Sequence, residues 1–61
     1  MKWIHLHYEN QARIVNVEHI AAIEATRDKD EIDGSFLHTT GGCFYADETP
    51  DEIMRMIVEA A

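Results

Sequence analysis

The sequence lacks the disulfide-forming cysteine pairs that stabilise many short chains, and it lacks the apolar segments that direct a chain to a membrane or to secretion. Its 61 residues include one cysteine, Cys43, so no internal disulfide can form, and a single thiol is typical of a reducing compartment. No run approaches the roughly 20 apolar residues of a membrane span, and the N-terminus lacks the apolar segment of a signal peptide. We therefore expect a cytoplasmic protein that forms a single domain over residues 1–61. Because chains this short bury only about 60% of the surface that their unfolded form exposes, we expect a partner subunit to support the fold.

Basic residues are also scarce, since five Lys and Arg stand against twelve Asp and Glu, for a net charge of −7. Clustered Lys and Arg are what hold nucleic acid phosphates and anionic lipids, so we expect neither as a partner. The acidic excess lies in residues 28–33 and 47–59. We predict that a basic protein surface binds there, steered by the carboxylates of Asp28, Asp30, Asp33, Asp51, Glu52 and Glu59.

The N-terminal third has the alternation of a β-hairpin. Apolar and other residues alternate through residues 2–8, which is typical of a half-buried strand. A tight turn at Asn10–Gln11 would pair this strand with residues 12–17. That register predicts Leu6 opposite Val15 and puts the apolar side chains of both strands on one face.

Three further strands are predicted in the middle of the chain. Residues 20–26, "IAAIEAT", are short for a helix and have no helix cap, so they are predicted to form a strand. Residues 27–34, "RDKDEIDG", are predicted to be a charged loop. Strands at 35–40 and 43–47 flank Gly41–Gly42, a two-residue hairpin signal. The face expected to form the core carries Ile4, Leu6, Val15, Val17, Leu37, Phe44 and Ala46.

The last segment has the signals of a helix over residues 50–60. Thr49 can cap the first free amides, Pro50 suits the first helical position, and Glu52 completes a capping box. The predicted apolar stripe consists of Ile53, Met54, Ile57 and Val58. The fold class is therefore predicted as α+β: a small antiparallel sheet of four to five strands with a single C-terminal helix packed on one face.

The opposite sheet face is rich in aromatic and histidine side chains, and a protein of this size rarely leaves such a face in water. The face is predicted to carry Trp3, His5, His7, Ile14, Phe36, His38, Cys43 and Tyr45. We predict a homodimer or higher oligomer through an interface formed by Trp3, His5, His7, Phe36, His38 and Tyr45.

Metal binding is the alternative interpretation of this histidine face. His5 and His7 lie about 7 Å apart on one side of a strand, where they could chelate zinc or nickel with His38 and Cys43. The His-x-His pattern is common in strands without metal, so we expect no metal and no cofactor. A metal- or ligand-binding regulator that uses this face stays open as the second function.

Catalysis by Cys43 is the other possible chemistry of the sequence. A nucleophilic cysteine needs a base and an oxyanion site held in a rigid setting, for which 61 residues leave little room. We interpret Cys43 as a small strand residue and expect no enzymatic activity.

Three stretches also carry a family resemblance: "IHLHYEN", "VNVEHIAAIEAT" and "LHTTGGCFYADETPDEIMRMI". Over nearly its whole length the chain resembles the FlbD-type family of small flagellar and swarming-motility proteins. The shared residues are mostly structural in kind: Asn16, Ile20, Ile23, Glu24, Gly41 and Glu48. The resemblance implies a non-enzymatic accessory protein tied to flagellar motility. We expect a small interaction module that acts as a homo-oligomer and docks on a larger assembly.

Overall fold

The computed structural model describes residues 2–60, which form five strands, one turn of 3₁₀ helix and one α-helix. In chain order these are β1 (Trp3–Tyr8), β2 (Gln11–Asn16), the 3₁₀ turn (Val17–His19), β3 (Ile20–Asp28), β4 (Glu31–Thr39), β5 (Gly42–Ala46) and α1 (Pro50–Glu59). The predicted α+β class with a single C-terminal helix is confirmed. The five strands divide into two antiparallel sheets, β1-β2 and β3-β4-β5, where the sequence predicts one.

Both predicted hairpin registers were wrong by two residues. Leu6 lies opposite Arg13, and Leu37 lies opposite Phe44, because each turn comes one residue earlier than expected. Glu9 and Asn10 form the first turn with φ of 51° and 67°, the two positive values that a type I′ turn requires. Side chains alternate with a period of two, so a two-residue shift keeps the predicted faces, with Tyr8 at the end of β1 as the exception.

The charged loop predicted for residues 27–34 is instead the end of a third hairpin. β3 continues to Asp28, β4 begins at Glu31, and the two residues between them form the turn, with Lys29 at φ 53°. High charge is compatible with strands here because these side chains project into solvent. Gly34 is the structural key to this hairpin. A Cβ atom at Gly34 would lie 2.5 Å from the carbonyl oxygen of Ala46, so only glycine lets β4 pass β5 this closely.

The core lies between the sheets and α1, as the apolar face of the strands predicts. Its buried side chains are Ile4, Leu6, Val15, Leu37, Ala46 and Ile53, and partly buried Val17, Ile20, Ile23, Phe44, Met56 and Ile57 pack against them. None of the helices in residues 2–60 has the length and apolar character needed to cross a membrane.

The start of α1 agrees with the sequence, but its buried stripe does not. Thr49 accepts a hydrogen bond from the Glu52 N–H while Glu52 accepts one from the Thr49 N–H, so the predicted capping box is confirmed. Met54 is 51% exposed and Val58 68% exposed. The buried stripe instead runs through Ile53, Met56 and Ile57, because the helix face that meets the sheets is rotated toward Met56 relative to the predicted one.

Candidate functional site

Four rings pack together on the outer side of the three-stranded sheet, and we call this group the aromatic patch: Tyr8, Phe36, His38 and Tyr45. Phe36 lies centrally, with its ring centroid 4.7 Å from that of Tyr45 and 4.9 Å from that of His38. Tyr8 reaches across from β1 and stacks on Tyr45 at 5.8 Å. Tyr8 and Tyr45 remain about half exposed. The rings therefore hold one another in place while offering their free sides to solvent.

The structure brings together half of the predicted oligomer interface. Phe36, His38 and Tyr45 share the aromatic patch, as the strand alternation predicts. Trp3 and His5 lie on the other sheet, where His5 is opposite the exposed Ile14. Tyr8 is an addition to the predicted set. Alternation assigns it to the core face with Leu6, but it sits at the end of β1 and leans out to Tyr45.

His7 belongs to a separate site, the joint between the two sheets. Its ring Nδ1 lies 2.7 Å from Glu48 Oε2, and its backbone N–H donates to Glu48 Oε1 at 2.9 Å. The His7 carbonyl in turn accepts from the Asp47 N–H at 2.6 Å, and the Glu48 carbonyl accepts from the buried Ser35 hydroxyl at 2.7 Å. Glu48 thus ties β1 to β4 immediately before the helix cap.

Electrostatics at this joint favour an ionised Glu48. Burial alone would raise the pKa of this carboxyl group, but hydrogen bonds from the His7 ring and the His7 N–H outweigh burial. The pKa of Glu48 is consequently lowered from its ordinary value. Sequence reasoning gave Glu48 no function, because its partner lies 41 residues away in the chain.

A second histidine–carboxylate pair lies beside the aromatic patch. His38 Nε2 is 2.8 Å from Glu24 Oε1 on β3, and His38 Nδ1 is 3.4 Å from the sulfur of Cys43 on β5. If Nε2 carries the proton toward Glu24, Nδ1 is an acceptor for the Cys43 thiol. This order of carboxylate, imidazole and thiol is the one that activates nucleophilic cysteines.

The two ends of this triad are exposed to solvent. Glu24 is 65% exposed at its side chain, and Cys43 is exposed on the outer strand. Nucleophilic catalysis depends on a water-excluding site with donors aimed at the developing oxyanion. The triad therefore makes His38 a fixed, hydrogen-bonded part of the aromatic patch.

The histidines are divided among separate partners. Of the predicted ligands His5, His7, His38 and Cys43, His7 is paired with Glu48, whereas His38 Nδ1 lies 3.4 Å from the Cys43 sulfur. Within residues 2–60, no group of three His, Cys, Asp or Glu side chains is placed to hold a metal ion.

The predicted partner-binding carboxylates have unequal freedom. Asp33 accepts a hydrogen bond from the Thr26 hydroxyl at 2.7 Å, and Glu52 is engaged in the capping box. Asp28 and Asp30 lie at the β3–β4 turn, and Asp51 and Glu59 are exposed at the two ends of α1. The acidic surface thus has two centres, at the hairpin tip and along the helix.

Two grooves flank these features. One, of about 510 Å³, lies between β2 and the β4–β5 turn and includes Cys43 on its rim. Its polar side chains are engaged in the fold, since Arg13 lies over the Phe44 ring at 4.5 Å and His19 Nδ1 lies 2.7 Å from the Thr40 hydroxyl. The other groove, between β3 and α1, holds about 400 Å³, and all the side chains that line it are apolar.

Comparison with known proteins gives no family model, no curated protein and no solved structure that matches this chain.

Proposed function

We propose that this chain is a non-catalytic protein-binding module of the cytoplasm, which associates with a second copy through the aromatic patch and docks by its acidic surface on a basic partner. The observation that carries the proposal is the patch itself. Tyrosine and phenylalanine are enriched at the centres of interfaces, where they supply large contact areas.

The packing of the patch favours binding. Phe36 is fixed between Tyr45 and His38, and Glu24 holds His38 from the far side. Side chains that are already ordered lose little conformational entropy when a partner arrives, so more of the contact energy is available for affinity. The four ring side chains of the patch include no carboxylate, and the Glu24 carboxylate at its edge is paired with His38, which limits repulsion between two copies of a chain with charge −7.

Sedimentation velocity over a range of concentrations tests self-association. Tyr45→Ser removes an exposed ring from the patch, and we expect it to weaken the dimer at least tenfold. Trp3→Ser is the matched control, because Trp3 is 50% exposed and Tyr45 51% exposed, but Trp3 lies on the other sheet. A wild-type monomer at high micromolar concentration, or equal effects of both substitutions, would contradict the proposed interface.

The acidic surface is proposed to meet the larger partner. Asp28 and Asp30 at the hairpin tip and Asp51 and Glu59 on α1 project into solvent, where they can steer a basic protein surface. Resemblance to FlbD-type proteins favours a partner in the flagellar motor or its regulation. Screening by salt should weaken this contact.

A pull-down from native lysate at low and at high salt tests the second contact. We expect a protein partner at low salt that is lost at high salt and in a variant with Asp28, Asp30 and Asp33 changed to Asn. Recovery of nucleic acid, or of the same proteins by the Asn variant, would count against a basic protein partner.

The second function, a ligand-binding regulator that uses the histidine face, has one specific observation in its favour. Glu24, His38 and Cys43 form a hydrogen-bonded row of three polar groups at the edge of an aromatic patch. Titration of the protein with zinc, followed by histidine NMR signals, distinguishes the two functions. Stoichiometric zinc binding that moves the His38 resonances and is lost in His38→Gln would favour the regulator.

A further inference from the structure

The groove between β3 and α1 combines two features that fit one kind of ligand. Six of its lining residues are the apolar Val17, Ile20, Ile23, Pro50, Met54 and Ile57, and two alanines complete it. It lies beside β3, which pairs with β4 on one side only and has no strand partner on the other among residues 2–60. Strand addition requires unpaired backbone groups on the edge strand and a neighbouring apolar groove that can accept side chains of the added segment.

The groove lies along residues 20–23 of β3, near the start of the strand. The β3–β4 pairing is irregular between Ile20 and Ala22 and again between Thr26 and Arg27. Between these irregularities, residues 22–26 pair without interruption. Ala21 and Ala22 are exposed, and their small side chains leave the approach to this edge open. The regular stretch therefore overlaps the groove at Ala22 and Ile23 and continues for three residues beyond it.

The charge around the groove selects the ligand. Apart from Glu24, which faces the aromatic patch, the three elements that border it (the 3₁₀ turn, β3 and α1) carry five carboxylates and two arginines, for a net charge of −3. A second copy would bring the same acidic elements to this seam and be repelled. A segment with Lys or Arg between its apolar residues would be attracted.

We propose that the β3–α1 groove binds an extended basic segment of another protein, which adds as a strand to the edge of β3 and inserts alternate apolar side chains beside Met54. The inference rests on the proposed protein-binding function and assigns the acidic contact of that function to a defined place. It is independent of the aromatic patch, which lies on the outer face of the sheet.

The probe is a fluorescein-labelled eight-residue peptide of alternating Val and Lys, with a Val–Glu peptide as its charge-reversed control. Fluorescence anisotropy should detect binding of the Val–Lys peptide at low salt. The Val–Glu peptide should bind at least tenfold more weakly. Amide hydrogen exchange should show slower exchange within residues 22–26 when the Val–Lys peptide is bound.

Two helix substitutions locate the site. Met54→Gln replaces an exposed apolar side chain in the groove with a polar one of similar length and helix propensity, and should weaken the Val–Lys peptide at least threefold. Val58→Gln is the control, since Val58 is also exposed but does not line the groove, and it should leave affinity unchanged.

Several results would overturn the inference. They are equal binding of the two peptides, equal affinity of Met54→Gln and Val58→Gln for the Val–Lys peptide, and amide exchange in residues 22–26 that this peptide does not slow. Self-association that is lost in Met54→Gln but kept in Tyr45→Ser would assign the groove to a second copy. Loss of self-association in Tyr45→Ser alone bears on the aromatic patch, so the two proposals fail in different measurements.

Discussion

The two histidine–glutamate pairs have nearly the same geometry and different surroundings. His7 and Glu48 approach to 2.7 Å, and His38 and Glu24 to 2.8 Å. The Glu48 side chain is only 13% exposed, whereas that of Glu24 is 65% exposed. Glu48 also accepts from the His7 backbone N–H. Distance alone therefore does not reveal the role of a pair, because water competes for Glu24 and hardly reaches Glu48.

The largest expected difference concerns loss of the two carboxylates. Glu48→Ala leaves the His7 N–H and ring without their acceptor at the joint between the sheets, and we expect a loss of about 2 kcal/mol of unfolding free energy. Glu24→Ala removes an exposed partner and should change stability by less than about 0.5 kcal/mol. Urea denaturation of the two variants measures both values. Equal losses would show that the joint is no stronger than the surface pair.

Acidification gives the second test. Since the folded-state pKa of Glu48 is lowered, its contribution is fully present above the unfolded-state pKa of about 4.3 and is lost as pH falls through the folded-state value. The stability advantage of the wild type over Glu48→Gln should therefore shrink below about pH 4.3. Denaturation curves from pH 7 to pH 3 measure it. A constant difference across this range would mean that Glu48 does not titrate at the joint.

The helix cap beside Glu48 gives a smaller effect. Thr49→Ala removes the acceptor for the Glu52 N–H and should destabilise the protein by about 1 kcal/mol. Thr49→Ser keeps that acceptor and is the control, expected to be near wild type. Thermal unfolding of both variants measures the difference. Equal destabilisation by Ala and Ser would mean that the methyl group of Thr49 matters more than its hydroxyl.

Much of this fold follows from patterns that are local in the sequence. The period of two in the strands, and the sequence "TPDE" before an apolar stripe, predict which residues face the core and where α1 begins. The β1–β2 and β3–β4 turns were missed because Glu9 and Lys29 adopt positive φ, which sequence rules assign to glycine and asparagine. The faces survived because both register errors were even-numbered.

The candidate site was only half predictable, for a different reason. Phe36, His38 and Tyr45 come together through one hairpin whose alternation is visible in the sequence. Tyr8 reaches them from another sheet. Glu24 reaches His38 because β3 pairs with β4, and this pairing was not predicted because the charged residues 27–34 were interpreted as a loop. Contacts between distant segments have no local signal. Glu48, which joins the sheets through His7, is an example, because the two residues are 41 positions apart in the chain.

The smallest effect is expected for the coupling energy between His38 and Glu24. A double-mutant cycle on His38→Gln and Glu24→Gln should give a coupling energy below about 0.5 kcal/mol, because both partners are partly hydrated. The corresponding cycle on His7→Gln and Glu48→Gln should give a larger coupling, since Glu48 is shielded from water. Urea denaturation at pH 6 and 8 measures both cycles under identical conditions.

Cys43→Ser is the control for the third member of the row, and its effect on the His38–Glu24 coupling should be negligible. If the His38–Glu24 coupling equals or exceeds that of the joint, the aromatic patch shields its polar edge from water. The open-surface description of that triad would then be wrong.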